Sequence, residues 1–91
     1  MLYNIRMPQT NIAQAQKRAR RLGVTVKPSS RKYKKLDVFK GKKKIVSIGD
    51  LRYSDFLQHK NEKRRALYKK RHDRNRHTPG TAGFYADKIL W

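Results

Sequence analysis

Apolar positions along this chain follow two rhythms. From Ile12 onward, Ile12, Ala15, Ala19 and Leu22 recur at helical spacing on one face, with Gln14, Lys17, Arg18 and Arg21 filling the rest. Thr10 and Asn11 are N-cap types ahead of that run, and Gly23 stands where a C-cap glycine belongs. The basic residues between Lys17 and Arg21 suit the negative end of a helix dipole. The spacing predicts a helix over residues 11–22. The rhythm then changes. Val24-Thr25-Val26 is β-favouring and ends at Lys27-Pro28, and Ser29 to Lys32 reads as a loop. Tyr33 to Phe39 and Lys44 to Ile48 are two β-rich runs flanking a short turn with Gly41, which predicts a hairpin. Leu36 and Val38 alternate with Lys35 and Asp37, so one face is apolar. A hairpin alone is marginal in water, and helix 11–22 with strand 24–27 are the cover this face needs.

After Gly49-Asp50 comes a cluster of large apolar residues, Leu51, Tyr53, Phe56 and Leu57, with Ser54-Asp55 opening a short helix of about two turns. Asn61-Glu62 looks like a second cap with an acid in the first turn, and the helix behind it is expected to reach about Asn75. Its apolar stripe is thin, Ala66, Leu67 and Tyr68, so only one narrow side can be buried and the basic face projects. Pro79-Gly80 breaks the chain, and Thr81 caps a last helix carrying Phe84, Tyr85, Ile89, Leu90 and Trp91. Met1 to Met7, stopped by Pro8, reads as a short edge strand or an extended arm. The fold class expected is α+β: a small antiparallel hairpin or three-stranded sheet packed with an N-terminal helix and C-terminal helices. One domain is expected, made of an arm (1–10), a helix (11–22), a β-hairpin region (24–48), a basic helical segment (54–75) and an aromatic C-terminal segment (81–91).

Charge changes the picture more than hydropathy does. Among 91 residues there are 25 Lys and Arg against 6 Asp and Glu, a formal net charge of +19. A domain this small is marginal alone, and self-repulsion on that scale opposes the compact state. Part of its order is therefore expected to depend on an anionic partner within a multi-protein assembly. Cysteine is absent, which excludes disulfides, thiolate zinc sites and cysteine nucleophiles. No run approaches the ~20 apolar residues of a membrane span. Residues 1–12 lack a signal-peptide core, so a protein made in the cell interior and not secreted is expected.

Four basic clusters carry the candidate chemistry: Arg18 and Arg21, Arg31 to Lys35, Lys40 to Lys44, and Lys60 to Arg76. Lys and Arg at helical spacing can track a phosphate backbone and release its counterions, and Arg can grip a phosphate with two bonds. The contacts expected are Arg18, Arg21, Lys32, Lys34, Lys42, Lys43, Arg64, Arg65, Lys69, Arg71, Arg74 and Arg76, each positioning the partner without reading bases. Tyr33, Phe39, Tyr53 and Tyr68 could stack on unpaired bases; with so few large apolar residues available, most are assigned to the core. His59, His72 and His77 lack metal-ligand spacing, the last two being five apart, and no carboxylate cluster accompanies them, so they read as partly exposed members of the cationic surface. With acids this sparse the chain is read as non-enzymatic, without metal or cofactor. Thr78 to Gly83 lacks the Gly-Lys-Ser/Thr of a Walker motif and reads as a hinge. Phe84, Tyr85, Leu90 and Trp91 then either close this core or fill a partner's pocket.

The run Ile48-Gly49-Asp50 with Tyr53-Ser54-Asp55-Phe56, then His59-Lys60, Arg64-Arg65, Tyr68, Arg71-His72, Gly80 to Tyr85 and Leu90-Trp91, resembles a group of small basic proteins encoded by large DNA viruses and related viral genomes. The likeness covers about Lys35 to Trp91. That group has no settled biochemical role. The resemblance implies a viral origin and a place in the virion. The leading expectation is a structural protein of the particle that binds nucleic acid phosphates, DNA before RNA. The rival is a minor capsid or cement protein docking its basic surface on acidic coat-protein patches. An RNA- or ribosome-associated basic protein is a third reading.

Overall fold

In the computed structural model, residues 11–91 are described; the expected arm over 1–10 lies outside them. Asn11 caps the first helix, its side chain accepting from the Gln14 amide at 3.1 Å, and α1 runs Ile12–Arg21. Gly23, at φ 77, turns the chain into β1 (Thr25–Pro28). β2 (Lys34–Lys40) and β3 (Lys43–Asp50) form the hairpin, and all three strands pair antiparallel in the order β1-β2-β3. The hairpin tip pairs Lys40 with Lys43 across the turn, and a register shift sits between Val38 and Phe39.

Registry explains the core. Val26 pairs with Val38, Val38 with Val46, and Leu36 with Ile48, so one side of the sheet is apolar. α1 lies along β1, α4 (Ala82–Leu90) lies along β3, and the two helices touch each other. Ala15 and Ala19 are fully buried, as small side chains must be where a helix backbone approaches a sheet closely. Leu57, Tyr85, Ile89 and Leu90 complete the cluster. Each aliphatic side chain so buried contributes roughly 1.5–3 kcal/mol. Gly49, at φ 81, belongs to the same packing: a Cβ there would meet Leu90 Cδ1 at 2.9 Å and Lys35 Cβ at 3.0 Å.

The α+β arrangement expected from the sequence is the one observed, with three differences in detail. The helix opened by Ser54-Asp55 is a single turn, α2 (Phe56–His59), with Asp55 and Gln58 forming a reciprocal capping box. The basic helix α3 is Glu62–Arg71 and stops short of Asn75, because the chain folds back: Asn75 and Arg76 amides both return to the His72 carbonyl. Gly83 makes room for this return, since a Cβ there would sit 2.7 Å from the Asn75 carbonyl oxygen. Finally, of the expected apolar stripe of α3 only Tyr68 turns inward, and it is half-buried. Ala66 and Leu67 are exposed, no residue of α3 is buried, and the inward side carries Arg65, Tyr68 and Lys69 instead. No helix among the described residues is long and apolar enough to cross a membrane.

Candidate nucleic-acid interface

The six acids come first, because they decide which cations are left over. Asp37 sits in β2 opposite Ser47, and its carboxylate accepts from Ser29 and Ser47 hydroxyls, both at 2.6 Å, with the Lys44 ammonium 3.4 Å away. Burial pushes this carboxyl up, but the hydrogen bonds from Ser29, Ser47 and the Ser30 amide and Lys44 outweigh it and hold it at about 2. Asp55 and Lys35 form a buried pair at 2.8 Å, and Gln58 also accepts from Lys35 at 2.6 Å. Asp87 of α4 is wholly buried and faces Lys69 at 2.7 Å, Lys88 at 3.5 Å and Arg76 at 3.8 Å. Asp50 binds Arg52 at 2.8 Å, which holds the carboxyl at about 2. Glu62 meets Arg65 at 3.4 Å, and Asp73 meets Arg76 at 3.0 Å and His77 at 3.1 Å.

Every acid of the chain is thus occupied. Among the described residues, every Lys and Arg beyond Lys35, Lys44, Arg52, Arg65, Lys69, Arg76 and Lys88 has no carboxylate within ion-pair distance. This remainder includes Arg20 and Arg21 on α1, Arg31 and Lys32 in the following loop, Lys40, Lys42 and Lys43 at the hairpin tip, and Lys63, Arg64, Lys70, Arg71 and Arg74 on and after α3, all exposed.

Of the contacts expected from the sequence, Arg21, Lys32, Lys42, Lys43, Arg64, Arg71 and Arg74 lie in that exposed set, and Lys34 is half-buried. Four others turn inward. Arg65 lies over the Phe56 ring at 4.7 Å, Lys69 and Arg76 neutralise Asp87, and Arg18 donates to the Ile89 carbonyl at 3.4 Å. Burial, with Arg65 and Arg21 nearby, lowers the Arg18 pKa. For Lys69 and Arg76 the physical reason is Asp87: a carboxylate removed from water must have cations beside it. The C-terminal residues, expected either to close this core or to fill a partner's pocket, make contacts within the fold. Tyr85 and Leu90 are core residues, Phe84 packs edge-on to Tyr85 at 5.4 Å, and Trp91 stacks on Tyr68 at 4.1 Å and 4°.

Aromatic and histidine placement departs from expectation too. Tyr33 and Tyr53 are exposed, 51% and 70%, rather than core. His59 is not part of the cationic surface: it packs against Phe56 and Trp91, accepts from the Asn61 amide through Nδ1 at 2.9 Å, and burial lowers its pKa, as does the nearby Arg64. His72 stacks on Tyr68 at 4.2 Å. Among the described residues no three His, Asp or Glu gather as a metal site.

One cavity of about 610 Å³ opens between the end of β3, the loop ahead of α2, α3 and the end of α4. Tyr53, Leu67, Tyr68, Leu90 and Trp91 give it apolar walls, Lys35 and Asp55 lie in its floor, and Arg64 and Arg71 stand at its side. Sequence reasoning missed it. Tyr53, Tyr68 and Trp91 are far apart along the chain, and only the Lys35–Asp55 pair and the return of α4 bring them to one place.

Residues 24–72 match a family of unknown function (DUF5754), a stretch running from the start of β1 to the end of α3. Neither the curated proteins nor the solved structures contain a significant match to the chain.

Proposed function

The chain belongs to that family, and we propose that it is a non-enzymatic structural protein that binds nucleic acid through its phosphates, without base specificity, inside a virus particle. The observation that carries this reading is the exhaustion of internal counter-charge. All six acids are engaged within the fold, and most of the cations left over are exposed, on α1, the loop before β2, the hairpin tip, and on and after α3. Exposed Lys and Arg with no carboxylate opposite are the groups that displace counterions from a phosphate backbone. The surrounding particle rests only on the likeness to small basic viral proteins. Of the terminal residues, Tyr85 and Leu90 lie in the core, which favours the phosphate-binding reading over docking in a coat-protein pocket.

Fluorescence anisotropy with unrelated duplexes of equal length tests the reading. Affinities within about threefold of one another are expected, with log K falling linearly in log salt by about 0.9 per phosphate neutralised. Affinity unaffected by salt, or confined to one sequence, would overturn it.

A further inference from the structure

Three large apolar side chains are left exposed among the described residues: Tyr33, Tyr53 and Leu67. Tyr53 and Leu67 line the same cavity, while Tyr33 lies outside it. Tyr33 is also satisfied locally, with Lys32 at 5.1 Å and Arg52 at 5.4 Å from its ring centre. Tyr53, in contrast, has no ring or cation stacked on it among the described residues. Behind it the cavity offers Tyr68 and Trp91, already held parallel. Its volume falls within the range of roughly 300–1,000 Å³ typical of small-ligand sites.

The electrostatics select the occupant. Two acids lie in the wall, Asp50 and Asp55, and each is neutralised, by Arg52 and Lys35. Among the described residues Arg71 has no acidic partner, and the Arg64 guanidinium donates to the Ser54 hydroxyl at 3.3 Å and meets no carboxylate. A ligand here meets apolar and aromatic walls in the interior and unspent guanidinium groups at the side. That combination suits a flat ring joined to an anion.

We propose that this cavity receives an unpaired nucleobase of a bound strand, packed against Tyr53 and Leu67 with its phosphate on Arg64 and Arg71, so that the protein prefers single-stranded to fully paired nucleic acid. This rests on the phosphate-binding reading above and adds a site to it. Base–aromatic stacking is sequence-tolerant, so the preference concerns strandedness rather than sequence.

Trp91 is the chain's single tryptophan and lines the cavity, so its emission reports occupancy. The full chain is titrated with oligothymidylate, with a duplex of the same length, and with inorganic polyphosphate, which has phosphates and no bases. Binding is read separately, by displacement of a labelled duplex. All three should bind, and only oligothymidylate should change Trp91 emission. Tyr53→Ala should weaken oligothymidylate binding about tenfold while leaving duplex affinity within twofold, since stacking is lost and no phosphate contact is. Tyr33→Ala should change neither. Thymidine monophosphate that changes the emission by itself supports a cavity that needs only the nucleotide; a change with the strand alone supports one that needs the backbone as well.

Silence of Trp91 with bound oligothymidylate, or an equal response to polyphosphate, overturns the cavity and leaves phosphate binding standing. So does a Glu-Tyr copolymer acting at lower concentration than oligothymidylate, which would assign the cavity to an acidic protein. Failure of all three polyanions to bind removes both.

Discussion

α1 and α3 are close to a matched pair. Each is ten residues long, each is capped by an asparagine that accepts from the amide three residues on, and each carries three basic residues in its last turn. Yet α1 is built into the core through Ala15 and Ala19, while α3 buries nothing. Length, caps and charge do not separate them. The spacing of apolar residues does. Ile12, Ala15, Ala19 and Leu22 fall on one side of a helix, whereas Ala66, Leu67 and Tyr68 are consecutive and fan out around it. α3 is held instead by point contacts: Tyr68 on Trp91, Arg65 on Phe56, and Lys69 with Asp87. A helix fastened this way keeps most of its surface, and most of its charge, available.

The sharpest way to break the comparison is to place the same charge on both helices. Ala19→Arg buries a cation in a fully packed site and should cost more than ~4 kcal/mol, enough to abolish the far-UV circular dichroism of the fold. Leu67→Arg on α3 should leave the unfolding midpoint almost unchanged. Next in size is Asp87→Asn. It keeps the shape but strips the counter-charge from Lys69 and Arg76, which can partly reach solvent, so about 2 kcal/mol is expected, below the cost of breaking a fully buried pair. Denaturant titration checks both.

A smaller effect separates the sheet from α3 through pH. The Asp37 carboxyl is held at about 2 in the fold, below its ordinary value of 3.8. Its contribution is therefore fully present above pH ~4 and is lost as pH falls toward 2, because the unfolded chain takes up the proton first. Thermal melts should show stability declining over that window, and Asp37→Asn should flatten the decline. Smallest is Arg74→Ala, on the turn after α3. It has no acidic partner and should change stability by less than ~0.5 kcal/mol, while the salt slope for duplex binding shrinks by about one.

The order of elements was legible because each rhythm is local: period-four alanines, alternating Leu36 and Val38, and capping residues at Asn11, Asn61 and Thr81. The C-terminal end of α3 was not, because Arg76 returns to the Lys69 carbonyl and Asn75 packs on Gly83, contacts that no apolar spacing announces. For the site, charge excess was visible at once. Which cations were committed was not, since Lys69 and Asp87 are eighteen positions apart and their pairing depends on how α4 docks. Lys35 is a similar case: nothing in its neighbourhood on the chain announces that Asp55 will bury it.

The hairpin tip has a consequence of its own. Lys40 faces Lys43 across the turn and Lys42 stands between, so closing the loop forces like charges together. Whatever anion settles there relieves that opposition and makes the turn easier to keep shut. Amide exchange at residues 40–43 should then slow on binding even where no side chain elsewhere moves, and the tip becomes a gauge of occupancy built from its own discomfort.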